Sequence, residues 1–161
     1  MSWACSKSLD LLIAGSQTAV GRTVMAHGIQ IHVQCPHCGV SLMTPKQAID
    51  NLDAIHFLVK IGSQIGNLYL SQVYGSYAKL FDQVEDVPDA VVECSCPHCF
   101  RPFPVHQVCG SCNAPIIGLD LKVGGVIKIC TRNGCKHHSL EFEDSRDALN
   151  LFRSQDPSGL F

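Results

Sequence analysis

Several features that would point directly to a function are missing from this 161-residue sequence. No run approaches the roughly 20 apolar residues that a membrane span needs. The first residues make a poor signal peptide, because Asp10 interrupts the short apolar run that begins at Leu9. Neither a glycine-rich phosphate loop nor a Gly-x-Ser-x-Gly nucleophile motif is present. We therefore expect a cytoplasmic protein that is not an enzyme.

Charge is also scarce. Charged residues make up 16% of the chain against 46% hydrophobic residues, and the formal net charge is −2. A surface with so little charge favours a protein partner or a second copy of the chain, although a monomer with a bland surface fits as well. Eight thiolates with two bound Zn²⁺ would make the net charge more negative still. Such a balance argues against indiscriminate binding to phosphates.

Cysteine is the residue that the sequence has in excess. Two of the ten cysteines, Cys5 and Cys94, stand outside close pairs, and the other eight form four pairs: Cys35/Cys38, Cys96/Cys99, Cys109/Cys112 and Cys130/Cys135. A Cys-x-x-Cys bend supplies two sulfurs of a tetrahedron, and paired cysteines in a reducing compartment hold metal more often than they form disulfides. The pattern predicts two four-sulfur sites, each for one Zn²⁺.

Two pairings of these bends are compatible with the spacing. In the sequential pairing, Cys35/Cys38 join Cys96/Cys99, while Cys109/Cys112 join Cys130/Cys135. In the nested pairing, Cys96/Cys99 close with Cys109/Cys112, and the first and last pairs meet. We favour the sequential pairing, because both Cys-Pro-His-Cys bends lie between strand-like segments and a hairpin separates the last two pairs.

The hydrophobic patterns predict an α+β fold. We expect an N-terminal helix (1–28), a first zinc ribbon (29–43 plus 90–106), a helical insertion (44–89), a second ribbon (107–143), and a C-terminal helix and tail (144–161). In the insertion, apolar residues recur at steps of three and four, which predicts two helices near 45–61 and 64–84. Gly62 and Gly66 would allow close helix contact or a break between them, and Gly124-Gly125 predicts a hairpin.

The cysteine bends resemble those of the zinc-ribbon superfamily. Cys35-Pro36-His37-Cys38-Gly39 matches the family's knuckle, whereas Phe100 replaces the glycine usual after the second bend. The block from Cys109 to Lys136 is similar to the C-terminal zinc ribbons of type IA topoisomerases, and Cys96 to Cys112 alone looks like the short ribbons of bacterial adaptor proteins. The resemblance implies closed, structural metal sites. Rubredoxins, which hold iron in similar bends, are the alternative for the metal.

Three functions follow as expectations. The first is an adaptor or assembly subunit that binds a protein partner or a second copy through the 45–84 helices. The second is nucleic-acid binding around the last bend, where Lys128, Arg132 and Lys136 lie near His137, His138 and Phe142; alternatively, these cations compensate the charge of the metal site. The third is a rubredoxin-like iron electron carrier. His137 or His138 could also replace Cys135 as a ligand.

Overall fold

The computed structural model describes residues 29–142 and 144–154. The predicted N-terminal helix (1–28) lies outside these residues, as does the tail from residue 155. The described part contains ten strands and one helix. They are β1 (Val33–Gln34), β2 (Met43–Ile49), β3 (Leu52–Ile61), β4 (Gln64–Leu70), β5 (Lys79–Asp82), β6 (Glu93–Ser95), β7 (Val105–Val108), β8 (Pro115–Leu121), β9 (Val126–Cys130), β10 (His138–Glu141) and α1 (Ser145–Ser154).

The first sheet has five antiparallel strands in the order β2-β3-β4-β5, with β6 paired to the last residues of β3. Its long hairpin, β3–β4, buries one face: Phe57 stands opposite Leu68, and Val59 opposite Gly66. A Cβ on Gly66 would overlap the backbone carbonyl oxygen of Asp82, so β5 can lie against β4 only with glycine at this position.

The predicted helical insertion is wrong, because residues 44–89 contain four strands and no helix. A run such as Ile55 to Val59 fits a helix stripe and a strand equally well by spacing alone. Two tight turns decide between them. Asp50 and Asn51 both have positive φ (55° and 63°), as a two-residue hairpin turn requires, and Gly62 (φ 60°) starts the turn between β3 and β4. Gly62 and Gly66 therefore serve a sheet, not a helix contact.

The second sheet is also antiparallel, in the order β1-β8-β9-β10, and β7 pairs with the first part of β8. The predicted hairpin around Gly124-Gly125 is confirmed as β8–β9, with Leu119 opposite Ile127. The connection is longer than a two-residue turn, since residues 122–125 form it and the N–H of Leu121 bonds the carbonyl of Gly125 at 3.0 Å.

One apolar core joins the two sheets. Phe57 from β3 contacts Phe103 edge-on, with ring centroids 5.0 Å apart, and Ile117 and Leu119 from β8 belong to the same cluster. Helix α1, confirmed at the C-terminus, adds the buried Leu151. The fold is thus mostly β, and the α+β class predicted from the sequence is wrong. Across the described part of the chain, no helix is long and apolar enough to cross a membrane.

Candidate metal centres

The first candidate centre lies where the two sheets meet. Cys35 and Cys38 follow β1 of the second sheet, whereas Cys96 and Cys99 follow β6 of the first. The four Sγ atoms all lie within 4.8 Å of one another. Because the two bends come from different sheets, a metal ion held here would tie the sheets together. Among the described residues, strand-type pairing between segments next to the two sheets consists of isolated bridges such as that of Val91 with Arg132, and an ion would add a further link.

The two bends of this first centre have the same backbone bonding. The N–H of Cys35 donates to the carbonyl of Val40 at 3.0 Å, and the N–H of Cys96 donates to that of Arg101 at 3.0 Å. In each bend the amide of the histidine also points at the first sulfur, 3.3 Å away. Amide N–H groups aimed at sulfur stabilise a thiolate.

The histidine of each bend forms a hydrogen bond with the segment that follows the other bend. Nε2 of His37 lies 2.9 Å from the carbonyl oxygen of Pro102, and Nε2 of His98 lies 3.1 Å from that of Ser41. Since a carbonyl only accepts, both ring nitrogens must donate. The centre therefore has an approximate internal two-fold symmetry. The repeated Cys-Pro-His-Cys motif was the sequence signal for it, although sequence reasoning assigned these histidines no role.

The residue after each bend adopts a left-handed backbone. Gly39 has φ 72°, and Phe100, at the equivalent position of the second bend, has φ 63°. A phenylalanine pays a steric penalty in this region that glycine avoids. The structure thus shows why a glycine is usual here, and it leaves the Phe100 ring largely in solvent.

The second candidate centre is built within one sheet. Cys109 and Cys112 form the bend between β7 and β8, whereas Cys130 ends β9 and Cys135 belongs to the longer turn before β10. The four sulfurs again lie within 4.8 Å of one another. The buried Ile116 of β8 packs against them in a small cluster separate from the main core. The structure therefore groups the eight cysteines in the sequential pairing, not the nested one.

The sulfur separations fit a metal tetrahedron. With metal–sulfur bonds of about 2.3 Å, neighbouring ligand sulfurs lie about 3.8 Å apart. In the first centre, Cys35–Cys99 and Cys38–Cys96 are both 3.8 Å. In the second, Cys109–Cys135 is 3.9 Å and Cys112–Cys130 is 3.3 Å. A disulfide needs about 2.0 Å, so these distances suit four thiolates around one ion.

The cysteine thiols of the two centres differ in their environment and therefore in their pKa. Burial raises the pKa of Cys35 to about 12 and also raises that of Cys96. In contrast, the backbone N–H of Ala114 lowers the pKa of Cys112 to about 6. Without an ion, the buried sulfurs therefore keep their protons near neutral pH. Metal binding must release those protons, which makes the affinity of both centres fall on acidification.

The basic residues near the last bend mostly have partners within the protein. Arg132 donates to the carbonyls of Asp89 (2.8 Å) and Cys112 (3.2 Å). Lys128 pairs with Glu141 at 2.7 Å. Lys136 is exposed and lies 5.1 Å from the centroid of the Tyr77 ring. Arg132 thus braces the second centre, and its side chain helps to lower the pKa of Cys112.

The remaining candidate ligands lie outside both groups. Cys94 is buried in the core, and burial raises its pKa to about 12; Cys5 lies outside the described residues. The ring of His138 stacks against Tyr77 with centroids 5.0 Å apart. The second centre has its four sulfurs without His137 or His138. Neither histidine is needed in place of Cys135.

The fold and the two centres define a class: a mostly β protein with two four-cysteine groups that could hold metal ions, an arrangement consistent with zinc-ribbon-like knuckles. The identity of the ion does not follow from the geometry, because iron and zinc both accept four thiolates. Comparisons with protein-family models, with curated proteins and with solved structures find no match to the chain.

Proposed function

We propose that this protein is a non-catalytic adaptor or assembly subunit, stabilised by one Zn²⁺ in each four-cysteine centre. Four thiolates in a tetrahedron complete the coordination of zinc and leave no position for water or substrate. A zinc ion in such a site contributes folding energy, on the order of 10–16 kcal/mol in model peptides, and not a nucleophile. The two complete sulfur groups are the support for this part of the proposal.

The proposed docking surface is the free edge of β7. It replaces the helical insertion as the candidate surface. All four residues of β7 are exposed, and within the described residues this strand pairs only with β8. Val105 is 60% exposed and Val108 is 62% exposed. This exposed apolar edge is the single observation that carries the proposal.

The four residues of β7, Val105-His106-Gln107-Val108, include no lysine, proline or acidic side chain that would oppose strand pairing. Its remaining edge protection is the short length of the strand, the preceding Pro104 and a bulge. The pairing register shifts at His106, where β7 has one extra residue opposite the step from Ile116 to Ile117. An extra residue puts Val105 and Val108 on the same face. The partner we propose is an extended apolar segment of another protein, added as a strand along β7.

A photo-crosslinking residue at Gln107 tests this surface in cells. We expect one defined adduct with a partner protein, and we expect Val108→Lys to abolish it, because lysine on an edge opposes strand addition. The control is Ile65→Lys. Ile65 is 68% exposed on the first sheet, away from β7. An adduct that survives Val108→Lys, or that is lost equally with Ile65→Lys, would rule out the β7 edge.

Elemental analysis of the purified protein tests the metal. Two zinc ions per chain are expected, and the protein should be colourless. A red protein with iron in either centre would instead favour the rubredoxin-like electron carrier. In that case the adaptor proposal would have to be abandoned.

Nucleic-acid binding has less support. Of the cations expected to contact phosphate, Lys128 and Arg132 already bond Glu141 and backbone carbonyls. That leaves Lys136 from the predicted trio. Strong, salt-dependent binding to DNA or RNA that is lost with Lys136→Gln would reverse this ranking.

A further inference from the structure

A cavity of about 240 Å³ lies between the two sheets, apart from the β7 edge. Its inner wall is apolar and comes from both sheets: Ile55 and Phe57 of β3, Ile117 of β8 and Ile127 of β9. For comparison, an apolar cavity of about 150 Å³ is enough to hold benzene. The space would admit one ring with a short chain, or a hydrocarbon chain of medium length.

Aromatic rings line the cavity on the side of the second metal centre. The His138 ring lies 4.6 Å from that of Tyr74 and 5.0 Å from that of Tyr77, measured between centroids. Nζ of Lys136 lies over the same Tyr77 ring, 5.1 Å from its centroid. Aromatic rings with a polar end suit a boundary where one part of a ligand is apolar and another is wet.

The charge of this cavity differs from that of the whole molecule. The chain has 14 acidic residues against 12 Lys and Arg. The described lining contains Lys79, Arg132 and Lys136 and no aspartate or glutamate. Its negative groups are Cys130 and Cys135 of the second centre, together with Asp50 and Asp86, which bond the lining residues Ser71, Ser76 and Asn133 from outside the lining. Lys79 bonds the side-chain oxygen of Asn133, and within the described residues neither Lys79 nor Lys136 pairs with a carboxylate. Arg132 already bonds backbone carbonyls beside the second centre, so Lys79 and Lys136 are the cations of this lining that could meet an anionic ligand.

We propose that this cavity binds a small amphipathic carboxylate, with its hydrocarbon part between the sheets and its carboxylate beside Lys136 and Lys79. This ligand matches both the apolar wall and the cations of the cavity. An apolar wall without nearby cations would accept neutral molecules equally well, and a basic patch without the cavity would not select for hydrocarbon. The site does not involve the β7 edge, so the inference stands or falls separately from the adaptor function.

Calorimetric titration of the full-length, metal-loaded protein with octanoate and with 1-octanol tests the inference. Octanoate should bind more tightly than octanol. Lys136→Gln should weaken octanoate binding about tenfold, the effect expected for the loss of one favourable charge contact. It should leave octanol binding unchanged. Lys60→Gln is the matched control, since Lys60 is exposed on β3 and does not line the cavity.

A second variant tests the location. Ala78 is an exposed lining residue, so Ala78→Trp should close the cavity without disturbing the core, and it should abolish binding of both compounds. Equal affinities for octanoate and octanol, or no effect of Lys136→Gln, would overturn the inference. So would binding that appears only after residues 1–28 are removed, because that part of the chain would then be the occupant.

Discussion

The two candidate metal centres use the same four-sulfur chemistry in different structural settings. In the first, Cys35 and Cys96 belong to the main core, and the bends come from separate sheets. In the second, the four cysteines have their own small cluster with Ile116, and all of them flank strands of one sheet. We infer from this difference that the first centre holds the whole fold together, whereas the second stabilises its own bends.

Removing one cysteine ligand from each centre in turn should give the largest difference in how much of the protein unfolds. Cys96→Ser should lose one metal ion and unfold both sheets, because that ion would join bends that come from different sheets and Cys96 also lies in the main core. Cys112→Ser should also lose one ion, but only the bends around residues 109–114 and 130–137 should become unprotected. Hydrogen exchange by segment, with native mass spectrometry for the metal count, measures both effects.

The buried thiol that binds no metal provides the control. Cys94→Ala should retain two ions and cost about 1 kcal/mol for the lost core packing. If Cys112→Ser exposed the first sheet as fully as Cys96→Ser does, the two centres would be energetically equivalent. The contrast between them would then be lost.

A substitution in β4 tests how strongly the first sheet itself is packed. Gly66→Ala should destabilise the protein by about 2 kcal/mol, because the new Cβ meets the backbone of Asp82, which cannot rotate away. Gly110→Ala, in the first bend of the second centre, meets no atom within 4 Å and should change stability by less than about 0.5 kcal/mol. Chemical denaturation measures both, and equal effects would contradict the packing described for β4 and β5.

The internal symmetry of the first centre predicts a pair of opposite, smaller effects. Phe100→Gly should stabilise the protein by about 1 kcal/mol, because it relieves a left-handed φ of 63° at a side chain that is mostly in solvent. Gly39→Ala should destabilise the protein by a similar amount, because alanine is strained at φ 72°. A Cβ at this position meets no atom within 4 Å, so the backbone conformation alone causes the effect. Thermal unfolding at full metal loading tests both signs.

The smallest effect should come from His37 and His98, which each bond the segment after the opposite bend. His37→Ala and His98→Ala each remove one exposed bond to the opposite bend, worth about 0.5–1 kcal/mol. Both should speed metal loss to a chromogenic chelator, and to the same degree. His32→Ala, an exposed histidine before β1, should not. A large difference between His37 and His98 would argue against the two-fold arrangement.

The sequence predicted some elements well because their signals are local. The β8–β9 hairpin follows from Gly124 and Gly125, and helix α1 follows from the run that starts at Ser145. The insertion was mispredicted because its apolar spacing fits both a helix and a strand. The turns at Asp50-Asn51 and Gly62-Ser63 carried the deciding information. These turn residues are visible in the sequence, but the apolar residues at steps of three and four favour a helix over the same segment.

By itself, the sequence determined which residues could serve as ligands, because a thiolate pair in a tight bend is set by spacing over a few residues. Only the tertiary structure decided that Cys35 and Cys96 enter from different sheets, that Arg132 braces a bend, and that a cavity with lysines lies between the sheets. The reason is physical: strand pairing and core packing join residues far apart in the chain, and no local pattern specifies which of them meet.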